Sequence, residues 1–125
     1  MIATKTIRHI EGMGRPARTP ADRRVMVEIG TRLRWVREAL GLSQAAIADQ
    51  VGIHQTAWGL YERGKRLPDE FAGMRMIAKL KISRAYLIDG RLDGVERELA
   101  IRLAAAHPEL AAPIGMDRRT GTDPA

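Results

Sequence analysis

The sequence predicts an all-α protein. Three observations carry that expectation. Apolar residues fill 45 % of the 125 positions but aromatics only 4 %, so the core is aliphatic, and β-branched alternation is scarce. Apolar positions recur at helical spacing, as in Ile29, Leu33, Val36 and Leu40. The stretch from Gly41 to Gly64, GLSQAAIADQVGIHQTAWGLYERG, reads as two short helices joined by a tight turn.

The length suits one compact domain with tails. A net charge of +6 and a sequence pI near 10.5 favour a polyanionic partner. The charge is uneven: +4 over residues 1–27, +3 over 28–90 and −1 over 91–125. With no cysteine, disulfides and thiolate zinc sites are excluded. No apolar run approaches the ~20 residues of a membrane span. Lys5, Arg8 and His9 break up Met1 to Ile10, so no signal peptide is expected. The expected compartment is the cytoplasm with its nucleoid.

Taken in order, residues 1–21 have no sustained period and are interrupted by Gly12, Gly14, Pro16 and Pro20. They read as a flexible basic arm, which either follows a DNA backbone or is only a solvated tail. Gly12-Met13-Gly14 is no nucleotide loop, because no strand precedes it. The first helix is expected from Asp22 or Val25 to Leu40, with Arg32, Arg34 and Arg37 off the apolar face and Gly41 ending it. Trp35 either covers an adjacent segment or partner subunit or is a partly exposed single aromatic.

The second helix, Gln44 to Gln50, is capped by Ser43. Ala48 is small where two backbones must come close, and Gly52 can take the positive φ of a sharp turn. Ile53 plugs the corner, and the third helix runs from Gln55 to Arg63. Ile47, Val51, Ile53 and Trp58 lock the pair together. Gln55, Thr56, Gly59 and Leu60 are left on the face away from Trp58 and Tyr61. A helix-turn-helix places such a face in the major groove. An ordinary helical hairpin has the same capping and periodicity.

Pro68 opens the next segment, and a fourth helix follows from Asp69 to Leu80, its inward stripe expected at Phe71, Met74, Ile77 and Ala78. Ser83 caps a fifth helix, Arg84 to Asp89, closed by Gly90. Asp93 and Glu96 have capping-box spacing for a sixth helix over about 94–106. Its stripe of Val95, Leu99 and Leu103 either packs on the fifth helix or forms a dimer. Residues from Met116 onward read as a disordered tail. The organisation expected is therefore an arm (1–21), a helix-turn-helix domain (22–90) and a C-terminal helix with its tail (91–125).

Enzyme chemistry finds little support. His9, His54 and His107 lie far apart, no HExxH occurs, and the two serines, Ser43 and Ser83, both stand at N-caps. No catalytic site, metal or cofactor is expected. The 35 residues after Gly90 are too few to enclose an ordinary metabolite pocket, so no small-molecule effector domain is expected.

From about Ile29 to Gly90 the chain resembles the Cro/lambda-type (XRE-like) repressor family of bacterial and phage helix-turn-helix regulators. The resemblance is carried by IGTRLRWVR, GLSQAAIADQVGI, the Glu62–Gly64 close with Lys65 and Arg66, IAKLKIS and SRAYLIDG, in the family's order. It implies a five-helix lambda-repressor-like DNA-binding domain, here with an additional C-terminal helix. It implies a structural ion pair between Arg37 and Glu62. It places Gln55, Thr56, Gly59 and Leu60 at base edges and Ser43, Gln44, His54, Lys65 and Arg66 along the DNA backbone. Gly59 and Leu60 depart from the polar readers usual there, and Trp58 takes a usual isoleucine position. The function implied is a sequence-specific double-stranded DNA-binding transcriptional regulator, a homodimeric repressor. The alternative is an antitoxin-like or adaptor module that uses the same fold to bind a protein partner.

Overall fold

The computed structural model describes residues 19–110. The basic arm up to residue 18 and the tail from residue 111 lie outside the described residues. Helices α1 (Pro20–Leu40), α2 (Gln44–Val51), α3 (Gln55–Glu62), α4 (Glu70–Leu80), α5 (Arg84–Asp89) and α6 (Arg97–Ala106) follow one another, and a 3₁₀ turn, Pro108–Leu110, closes the series. No strand occurs among the described residues.

The long helix α1 is the spine against which α3, α5 and α6 pack. It starts earlier than the sequence reading placed it. Thr19 Oγ1 accepts from the Asp22 amide at 3.0 Å, and the Thr19 amide donates to Asp22 Oδ2 at 3.3 Å. That reciprocal box makes Pro20 the first helical residue, a position where its missing N–H costs nothing. Pro20 therefore opens the helix and does not interrupt an arm. Ile29, Leu33 and Val36 form the buried stripe of α1. Gly30 sits between them because α3 crosses there. A Cβ on Gly30 would collide with the Tyr61 carbonyl oxygen and lie 2.6 Å from that of Glu62.

Helices α2 and α3 form the bent pair expected of Gly41–Gly64. Ser43 Oγ accepts from the Ala46 amide at 3.0 Å, Gly52 turns the chain at φ 87°, and Ile47, Ala48, Val51 and Trp58 are buried. Arg75 Nη1 donates to the Gly52 carbonyl at 3.0 Å and so fastens α4 to the turn.

Two expectations need correction. On α4 the inward residues are Ala72, Met76 and Leu80, with Ile77 half-buried, whereas Phe71 is 73 % and Met74 58 % exposed and Ala78 is exposed. The stripe is turned by one or two positions in the packing of α4 on α2, where Arg75 holds the Gly52 carbonyl; Asp69 caps the helix, accepting from the Ala72 amide at 2.8 Å. On α6, Asp93 is not the cap. Glu96 caps the helix itself, its carboxylate accepting from Leu99 N at 3.0 Å and Glu98 N at 3.1 Å. Asp93 instead offers its carbonyl to Ser83 Oγ at 2.6 Å, tying the connector to the start of α5.

The C-terminal helix packs on α1. Leu99 and Leu103 are buried in the chain's own core and Val95 is half-buried against it, so the stripe expected either to pack on the fifth helix or to form a dimer is taken up by α1. Arg102 Nη1 donates to the Ala39 carbonyl at 3.2 Å. Trp35 stacks on His107 with ring centroids 3.7 Å apart and planes 16° from parallel, so Trp35 covers an adjacent segment. Arg32 also has an inward task. Its Nη1 donates to the Leu87 and Ile88 carbonyls at 2.8 and 3.0 Å, at the carboxyl end of α5, while Tyr86 donates its hydroxyl to the Arg32 carbonyl at 2.8 Å.

Candidate nucleic-acid interface

The centre of the site is a buried carboxylate on the inner side of α3. Glu62 is 8 % exposed and, among the described residues, is the buried charged residue of the core. Four donors reach it from three helices. Arg37 of α1 approaches in a fork, Nε to Oε2 at 2.6 Å and Nη2 to Oε1 at 3.2 Å. Trp58 Nε1 donates to Oε2 at 2.5 Å from within α3, and Gln44 Nε2 donates to Oε1 at 3.0 Å from the start of α2. Arg37 Nη1 continues to the Leu42 carbonyl at 3.2 Å, fixing the α1–α2 corner.

Burial pushes the Glu62 carboxyl up, but hydrogen bonds from Arg37, Trp58 and Gln44 together outweigh it and hold the group below its ordinary range. The hydrogen bond to Glu62 raises Arg37 against the opposing effect of desolvation. A charge pair this enclosed needs all its lone pairs matched, and here they are. The mechanical result is that α1, α2 and α3 are pinned at one point, which fixes the rotation of α3 about its axis.

That rotation turns Trp58, Tyr61 and Glu62 inward and leaves Gln55 and Thr56 exposed on the opposite face. Those two lie on the face away from Trp58 and Tyr61, as their spacing predicts. Leu60 is half-buried at the edge of the same face. Gly59 lies on the face but is not open. A Cβ there would come 3.3 Å from Arg63 Nη1 and 3.6 Å from Gln44 Oε1, so side chains already roof it. A close backbone approach of a ligand at Gly59 is therefore blocked by this chain's own groups.

Of the residues expected along a DNA backbone, Ser43 stands exposed as the α2 cap, with its hydroxyl oxygen already accepting from Ala46. Gln44 reaches inward to Glu62, and its role in this structure is to complete the carboxylate's shell. His54 is the N-cap residue of α3 by position, but its side chain makes no cap hydrogen bond and is exposed. Lys65 and Arg66 are exposed on the loop that leaves α3. That loop is held by Lys65 N on the Leu60 carbonyl at 2.9 Å and by Gly64, at φ 71°, pressed against Val27 of α1.

Sequence reasoning passed over Arg63. It is exposed, and it stands on the outward face with Gln55 and Thr56. The signal was available: Gln55, Gly59 and Arg63 are four apart in turn, which is one helical stripe. Arg63, Lys65 and Arg66 form no ion pair among the described residues, so three cations cluster unneutralised at the end of α3.

Among the described residues no group of three His, Asp or Glu could hold a metal ion, and no helix is long and apolar enough to cross a membrane. Residues 28–86 match a family model described as a helix-turn-helix domain, and the match spans most of α1, then α2, the turn, α3 and α4, and ends within α5. No curated protein and no solved structure matches the chain.

Proposed function

From a helix-turn-helix domain over residues 28–86, we propose that this protein is a sequence-specific double-stranded DNA-binding transcriptional regulator, acting as a dimeric repressor. The observation that carries the reading is the exposed Gln55–Thr56 face of α3, held in one rotation by the buried Arg37–Glu62 pair. Gln55 can donate and accept together against adenine N6 and N7, and Thr56 can set a methyl or hydroxyl against thymine. The unpaired Lys65 and Arg66 beside it suit phosphates, which supply affinity and salt dependence without sequence information. No chemistry beyond binding is assigned to the site.

The test is binding to duplex from the region upstream of the protein's own gene, against scrambled duplex, at about 0.15 M salt. A preference of roughly 10³-fold is expected for a specific regulator. Lys65→Ala should weaken all sequences alike and lower the salt slope by about one. An unchanged slope would remove Lys65 from the phosphate set.

A protein-interaction reading has one observation in its favour. Phe71 and Met74, three apart on α4, expose a shared apolar face, and Leu67 just before the helix is 50 % exposed. This surface is available to a second copy, and light scattering on the purified protein measures whether one is bound. Monomeric protein without DNA preference would favour the adaptor reading.

A further inference from the structure

We propose that Arg63 reads a guanine in the major groove, its guanidinium seated on α3 over the bare backbone of Gly59. The inference rests on the DNA-binding reading above and deepens it by naming a specificity residue and its base.

The first ground is position. At 3.6 residues per turn, Arg63 lies about 20° from Thr56 around the α3 axis and so falls in the middle of the outward face. A residue at the end of a recognition helix is ordinarily too far along it to reach base edges, since the amino-terminal residues lie deepest in the groove. Helical side chains lean back toward the amino terminus, over the preceding turn. Arg63 does so: its Nη1 lies 3.3 Å from where a Gly59 Cβ would stand. The guanidinium is thereby carried back by about one turn, 5.4 Å, toward Thr56 and Gln55.

The second ground is the glycine. Gly59 has a poor helix propensity, and no positive φ or backbone crossing requires it. What a side chain at this position would meet is the Arg63 guanidinium at 3.3 Å and the Gln44 side-chain Oε1 at 3.6 Å. Gln44 is itself fixed by its bond to Glu62. The glycine is thus a shallow seat with one rigid wall. The third ground is that Arg63 has no ion pair or hydrogen bond from its side chain to any described residue. A planar fork of donors, seated on the outward face and unspent, matches guanine O6 and N7.

Random-duplex selection followed by anisotropy titration tests this with the full chain, Arg63→Ala, Arg63→Lys and Gly59→Ala, each first checked by thermal melt. The wild type should select a site containing guanine. Arg63→Ala should lose about 5- to 150-fold of discrimination at that one base pair. Arg63→Lys should lose it too, because a point charge lacks the fork. Gly59→Ala should weaken it by less than Arg63→Ala does, since its methyl meets Arg63 Nη1 at 3.3 Å and the guanidinium must shift, while melting no lower than wild type. If Arg63→Ala selects the same site with undiminished preference and only binds every duplex more weakly, with a salt slope smaller by about one, Arg63 is a phosphate contact and the inference falls alone. A wild type that prefers no sequence overturns the DNA-reading function and this inference with it.

Discussion

Replacing Glu62 by glutamine should damage the fold far more than its near-identical size suggests. The glutamate side chain is 4 % exposed and its partner Arg37 18 %. Glu62→Gln removes the negative charge and leaves a largely desolvated guanidinium unpaired. It also puts an amide NH₂ where one of the Arg37, Gln44 and Trp58 donors now points. Breaking a buried pair costs about 3–5 kcal/mol, and the residual exposure of Arg37 argues for the lower end, about 3 kcal/mol. For a domain of this size that corresponds to a fall in Tm of roughly 12–24 °C. Urea and thermal melts followed by far-UV circular dichroism at neutral pH read it directly. Arg37→Met makes the informative second variant, because with both substitutions no charge is left stranded. The double variant should then be less destabilised than the two singles summed, by about 2 kcal/mol. A Glu62→Gln cost below about 1 kcal/mol, or strictly additive singles, would refute the idea that this pair fixes α3.

Three further outcomes follow from the same geometry. Gly30→Ala should destabilise by about 3 kcal/mol or more, since its Cβ meets α3 backbone that cannot move aside; a melt unchanged from wild type would mean the helices separate freely. On α4, Phe71→Ser should stay within about 0.5 kcal/mol of wild type while Met76→Ala costs about 2–5 kcal/mol, and the reverse order would restore the inward stripe expected from sequence. Acid should unfold the protein through Glu62, whose carboxyl is held down in the folded state. The stability it contributes is complete above the ordinary glutamate range of about pH 4.3 and is lost as pH falls from there through the lowered folded value. Glu96, held down by the Leu99 and Glu98 amides, acts in the same sense. The acid limb of a stability-against-pH curve should therefore be shallower in Glu62→Gln than in wild type.

Much of the fold was legible in the sequence because it is written in local chemistry. Ser43, Gly52, Ser83 and Gly90 act on backbone groups within a few residues of themselves, so their effects need no tertiary information. The α1 stripe and the burial of Trp58 follow from periodicity in the same way. The Thr19–Asp22 box was equally local, but Pro20 reads as a breaker unless Thr19 is taken as the cap it follows. The Arg37–Glu62 pair was expected from resemblance; neither spacing nor composition reveals two charges 25 positions apart.

What only the tertiary structure decided concerns side chains with more than one place to go. Gln44, at the head of α2, has the chemistry for a phosphate and for a carboxylate, and the buried charge of Glu62 claimed it. Leu99 and Leu103 form a stripe that suits a second copy or the chain's own core, and α1 took it. Phe71 is the sole phenylalanine, yet Ala72, Met76 and Leu80 take the core side of α4 and leave it 73 % exposed. Arg63 gained a direction because Gly59 left room for it. Caps and periodicity act within one turn of helix and can be read from neighbouring residues. The partner of a polar group or an apolar stripe is chosen by whichever helix arrives beside it, and that is a property of the packed chain.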